Sequence, residues 1–177
     1  MHIFAVGLAL LALAAAPAPK PPRATTVPSA PGDGWQTFRD PAGVFSAEFP
    51  EKPTTQKQTS GAPGHSVATI VYAVNTGTSA FMVIVSDMSA LSLTAKQASE
   101  SAMASIALGK TPLSNKAIKL GKRTGRIVTA EDANTLYTAQ IYFFNHRLIQ
   151  AITARPKSAT PEEIARADRF QNSFKLK

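Results

Sequence analysis

The chain has 177 residues, with 19 lysines and arginines against 11 acids for a formal charge of +8, and it contains no cysteine. The absence of thiols excludes a disulfide framework, a thiol nucleophile, thiolate metal sites and a lipid-modified cysteine. A basic balance of this kind speaks to solubility and to association with anionic partners rather than to a particular activity.

Met1 to Ala16 is apolar apart from His2 and closes in small residues, the pattern of a secretory signal peptide cleaved after Ala16 or Ala18. The run is too short for a hydrocarbon core that needs roughly 20 apolar residues in a helix, so export is expected and a transmembrane span is not. A periplasmic or secreted protein of positive charge meets anionic lipid, polysaccharide and acidic proteins first, and nucleic acid is not an expected partner. Residues 17–34 hold Pro17, Pro19, Pro21, Pro22, Pro28 and Pro31 among Ala, Thr and Ser, and read as a linker that buries too little to fold. Residues 35–177 are then expected to form one domain stabilised by its core alone.

Trp35-Gln36-Thr37-Phe38 and Val44 to Phe49 alternate around the turn residues Asp40-Pro41-Ala42-Gly43, which predicts a hairpin with Phe45, Ala47 and Phe49 on one face. Glu51 to Gly64 is a polar connection. Ser66 to Val74 and Ala80 to Asp87 read as strands, the second apolar on both faces like a central strand covered by helices. Thr94 and Gln97 have capping-box spacing, and Ala95, Ala98, Ala102 and Ile106 recur at helical intervals up to Gly109. Further strands are expected over Lys116 to Leu120, Gly125 to Ala130, Leu136 to Phe144 and Arg147 to Ala154, the last two joined through Asn145-His146. Thr160-Pro161-Glu162-Glu163 opens a closing helix whose inner face is Ile164, Ala167, Phe170 and Phe174. The elements predict an α+β fold: a mostly antiparallel sheet of about six to eight strands, with an inserted helix and a C-terminal helix packed on it.

Three segments carry a resemblance: Trp35 to Pro50, the strand around Gly125-Arg126-Ile127-Val128, and the terminal Arg169-Phe170-Gln171-Asn172-Ser173-Phe174. Together with the order of elements they resemble the PsbP/Mog1-like superfamily, especially small exported bacterial proteins of unknown function. The resemblance implies an α/β sandwich and a binding or assembly role, because characterised relatives are photosystem-associated subunits or nuclear-transport cofactors. It brings over no catalytic residue.

The residues themselves supply no catalytic motif, so an enzyme is not expected. After loss of His2, only His65 and His146 remain as imidazole ligands, in separate loops and without a second ligand at regular spacing, so no metal is expected. Gly64-His65-Ser66 places a histidine beside a serine, but neighbours on an extended chain point apart and no Gly-x-Ser-x-Gly elbow is present. Glu131-Asp132 lies in a turn, Glu162-Glu163 serves helix capping, and Glu48 alternates with an apolar face. No glycine-rich loop opens a helix after a strand, and no cofactor is expected.

What remains is a basic run: Lys116, Lys119, Lys122, Arg123 and Arg126, with no acid among them. A hairpin with its tip at Gly121-Lys122-Arg123 would gather Lys119, Lys122, Arg123 and Arg126 toward an anionic envelope surface or an acidic protein. Each cation near charged lipid contributes about 1 kcal/mol at low screening. Arg147, Arg155 and Lys157 extend this surface if their strand ends lie beside the hairpin. Charges on an exposed hairpin also serve simply to guard an edge against aggregation. Two other readings stay open. One is a carrier of a small apolar ligand, held between the sheet and the Thr94 to Ala107 helix, where Ala95, Ala98, Ala102 and Ala104 leave room or permit close packing. The other is an enzyme whose site is assembled from distant loops.

Overall fold

The computed structural model describes residues 34–62 and 65–177, so the expected signal peptide and all of the expected linker but Gly34 lie outside the described residues. β1 (Gln36–Arg39) and β2 (Phe45–Phe49) form the predicted N-terminal hairpin. Asp40 closes its turn, accepting from the Gly43 amide through its carbonyl at 2.8 Å and from the Val44 amide through Oδ2 at 3.0 Å. There follow β3 (Thr54–Ser60), β4 (Val67–Asn75), β5 (Ala80–Asp87), α1 (Ala95–Ala107), β6 (Thr111–Leu120), β7 (Arg123–Glu131), β8 (Thr135–Phe144), β9 (Arg147–Pro156), α2 (Pro161–Ser173) and β10 (Lys175–Leu176).

β3 to β9 build one antiparallel sheet in the order β3-β4-β5-β9-β8-β7-β6. β1, β2 and β10 form a second sheet of three strands, so the N-terminal hairpin stands apart from the main sheet. The reason is burial. Phe45, Ala47 and Phe49 join Phe170 of α2 and its C-cap Phe174 against Tyr72, Val83, Tyr142 and Ile149, and together they cover one face of the main sheet. Ala98, Ala102 and Ile106 of α1 cover the other face, against Val128, Ala139, Ile141 and Ile152. β5 lies third in the order with Phe81, Val83 and Val85 in the first cluster and Ile84 in the second, which explains its apolar residues on both faces.

Both helices start as their sequences predict. Thr94 with Gln97, and Thr160 with Glu163, form complete capping boxes, the second with proline in the first turn. β3 departs from expectation. The polar connection contains a strand because Thr54–Ser60 pairs with β4 as an edge, and all seven residues are exposed. Neither face of β3 is covered, so the apolar alternation that marks a half-buried strand is absent. β10 is too short to carry any pattern.

Tyr72 ties the two sheets together. Its hydroxyl donates to Asp40 Oδ1 at 2.6 Å, with both residues buried. Burial, and then the Asp40 carboxylate, raise its pKa above the usual tyrosine value. Burial pushes Tyr142 up to about 12, and burial with the Asp132 hydrogen bond raises Tyr137. An unfolded tyrosine ionises near 10, so folding holds protons that the unfolded chain releases. This contribution is intact below pH 10 and is lost as pH climbs above it, by up to about 1.4 kcal/mol per pH unit for each tyrosine. Denaturant midpoints should therefore hold up to about pH 10 and then fall steeply, with Tyr142→Phe flattening the decline; a midpoint unchanged at pH 11.5 would contradict the burial of these hydroxyls.

Candidate functional site

β6 and β7 form a hairpin with regular register from Ser114 opposite Thr129 to Leu120 opposite Arg123. The turn is two residues, Gly121 and Lys122, with Gly121 at φ 60. A glycine at the first central position supplies the left-handed conformation that a II′ hairpin requires. The tip is thus one residue shorter than the sequence predicts, and Arg123 is the first residue of β7 rather than part of the turn.

Directly opposed residues share a face of the sheet. Lys119 opposes Thr124 and Arg126 opposes Ala117, and both cations lie on the face of Val128, toward the α1 layer. Arg123 opposes Leu120 on the other face, where Leu120 meets the α2 layer, and Lys116 shares that face. The four predicted cations are therefore divided, two on one face, one on the other and Lys122 at the tip. They surround an edge instead of forming a flat patch.

Two of the four are held. The Arg123 guanidinium lies 3.6 Å from the centre of the Phe144 ring, and its Nη2 donates to the Lys177 carbonyl at 3.5 Å. Arg126 Nε donates to Asn115 Oδ1 at 2.5 Å. Lys116, Lys119 and Lys122 have no ion-pair or side-chain hydrogen-bond partner among the described residues. Thr111 to Ala130 contains no acid, and Glu131, the last residue of β7, is engaged by Lys157 at 3.0 Å. The positive field of the hairpin is consequently uncompensated within its own strands.

Arg147 stands at the same end of the sheet, opposite Asp87 in β5 and Phe144 in β8. Hydrogen bonds from Ser89 lower the Asp87 pKa, and the nearby Arg147 and His146 charges lower it further. Arg155 and Lys157 fall at the opposite end of the sheet, so of the three suggested extensions only Arg147 adjoins the hairpin tip. His65 and His146 are both exposed, one between β3 and β4 and the other in the β8–β9 turn.

Two cavities open at the end of the sheet opposite the hairpin tip. A trough of about 360 Å³ is lined by Asn75, Thr78, Asn134, Thr135, Tyr137 and Pro156. A space of about 10 Å³, enough for about one water, lies between the β4–β5 turn and α2, against Ser79, Glu163 and Arg166. Neither cavity is lined by His65 or His146, and neither lies under α1. There Ala98 and Ala102 are 0% and 2% exposed and packed on the sheet. Among the described residues, no group of three or more His, Cys, Asp and Glu is placed to hold a metal ion, and no helix is long and apolar enough to cross a membrane.

The basic run was legible in the sequence, but its position at a sheet edge and its division between faces were not. The second had a signal: with Gly121-Lys122 as a two-residue turn, Leu120 must oppose Arg123, and every later pair follows. The stacking of Arg123 on Phe144 had none, because it depends on β7 pairing with β8.

No family model and no curated protein matches the chain. Among solved structures it is similar to cyanobacterial PsbP (CyanoP) from Synechocystis sp. PCC 6803 in solution, with a TM-score of 0.57 and 12% identity over 86% of this chain and 98% of that one. A crystal structure from Bacteroides thetaiotaomicron VPI-5482 overlaps with a TM-score of 0.41 and 12% identity, over 80% of this chain and 48% of that one, so the chain spans about half its length. At such identity a likeness concerns the path of the backbone and not the chemistry of side chains. The antiparallel sheet, the two helices packed on it and the accompanying hairpin give this chain a PsbP-like fold.

Proposed function

We propose that the protein is a noncatalytic, exported binding or assembly module that engages an anionic envelope component or an acidic partner protein through Lys119, Lys122, Arg123 and Arg126. The observation that supports this most is the hairpin at the sheet edge, acid-free from Thr111 to Ala130, where Lys116, Lys119 and Lys122 have no ion-pair partner among the described residues. Arg147 adds to the same end. Unpaired surface cations contribute little to folding, so they are free to act on a partner.

Lys119 and Lys122 are the informative positions, since neither packs on an aromatic ring as Arg123 does. The double charge reversal Lys119→Glu/Lys122→Glu should leave thermal stability nearly unchanged and weaken retention on an anionic matrix at least tenfold, about 1.4 kcal/mol. Wild-type retention should fall as salt rises through the range where the Debye length drops below about 10 Å. Equal retention of wild type and variant, at every salt concentration, would return these cations to guarding the edge.

A further inference from the structure

We infer that β6 is a strand-addition site, and that its occupant is an extended acidic segment of a partner protein. This rests on the proposed function above and names the partner of the same surface. β6 is the last strand of the sheet and, among the described residues, pairs only with β7, which leaves the outer side of its backbone without a strand partner there. In a hairpin with a two-residue turn, the closing pair Leu120 and Arg123 exchanges hydrogen bonds, and inward bonding then alternates along the strand. Ile118 and Lys116 bond inward with it. Asn115, Ala117 and Lys119 direct their amides and carbonyls outward. Arg126 Nη2 reaches the Asn115 carbonyl at 3.5 Å, which leaves the outward groups of Ala117 and Lys119 open to a new strand.

Edge strands attract other strands, and proteins commonly guard them with lysine, proline and bulges. Here Pro112 and the register shift between Pro112 and Ser114 guard the beginning of β6, while Ser114 to Leu120 runs regularly. Lysine repels a basic or apolar strand but attracts an acidic one. Lys116 and Lys119 point to opposite faces of this edge, so a strand laid beside β6 would meet both with acids three residues apart. Leu113 at the bulge is 52% exposed and offers an apolar contact at one end. The opposite edge, β3, has a single cation, Lys57, among seven exposed residues.

A flat lipid surface fits less well. Lys116 lies about 20 Å along the strand from Lys122, at about 3.4 Å per residue, and a plane touching the tip reaches neither both faces nor the length of the edge. Strand addition uses both, through main-chain hydrogen bonds for affinity and alternate side chains for specificity.

The test uses the full chain and a fluorescent peptide of about eight residues, valine and threonine with two glutamates three positions apart, a length that matches one strand. Ala117→Pro removes an outward amide and keeps every charge; proline is tolerated on the open side of an edge strand. Wild type should bind the peptide, and Ala117→Pro should weaken binding about tenfold with little change in melting temperature. A peptide carrying N-methyl groups on alternate amides reports the same loss on the unaltered protein, should the proline variant unfold. Binding lost in Lys119→Glu/Lys122→Glu but kept in Ala117→Pro and by the N-methylated peptide would overturn strand addition and leave the proposed function standing. Peptide binding indifferent to all three changes would sink both. Phosphatidylglycerol vesicles retained equally by wild type and Ala117→Pro, with no peptide binding, would assign the cations to lipid and overturn the inference.

Discussion

Replacing Phe170 with alanine is expected to cost about 4 kcal/mol of folding free energy, the middle of the range for a buried aromatic. Phe170 is fully buried in the C-terminal half of α2. Its ring stands roughly perpendicular to those of Phe49 in the small sheet and Phe81 in the main sheet, with ring centres 5.1 Å and 5.6 Å away. Three layers therefore lose contact with one substitution, and the surrounding elements cannot close the space without moving apart from one another. Denaturant unfolding measures this directly. A loss below about 1.5 kcal/mol, less than typical for such truncations, would mean that α2 does not hold the two sheets together.

Gly125→Val should cost about 3 kcal/mol, as overpacking of a closed site does. Gly125 is buried in β7, opposite Tyr142 in β8, and a Cβ there would fall among the Tyr142 ring carbons and 2.6 Å from the Ile141 carbonyl oxygen. The tyrosine ring thus occupies the space that a side chain at position 125 would need. Its hydroxyl donates to Gln140 Oε1 at 2.9 Å, and Gln140 Nε2 donates to the Gln171 carbonyl at 2.8 Å, which fixes the ring in place and joins it to α2. Combining Gly125→Val with Tyr142→Ala should recover part of the cost of the two single changes, because the ring that clashes is gone. Strict additivity in that cycle would show that the two residues do not share the site.

Where the sequence states a burial pattern, the fold was legible. The capping threonines at 94 and 160, the alternation at Phe45, Ala47 and Phe49, and the doubly apolar β5 all report which surfaces are covered, and the structure covers them. β3 was illegible for the same reason in reverse: its seven residues are exposed, so hydrophobicity left no trace of the strand. The small sheet was half legible. Its hairpin could be read, but its separation from the main sheet depends on Asp40 meeting Tyr72 and Phe49 meeting Phe170, contacts distant in the chain. At the candidate site, charge was visible because it is a property of residues. Which face each cation occupies follows from the turn, and the edge position of β6 follows only from the order of all seven strands.

We propose that the cations of the β6–β7 hairpin, and not positive charge in general, engage a partner. The most direct test compares capture from an envelope extract by the full chain, by Lys119→Glu/Lys122→Glu, and by Lys52→Glu/Lys57→Glu, which makes the same change of charge beside the opposite edge of the sheet. A partner should be retained by wild type and by the Lys52/Lys57 variant and lost from the Lys119/Lys122 variant. Equal loss from both variants would contradict it, since only overall charge would then matter.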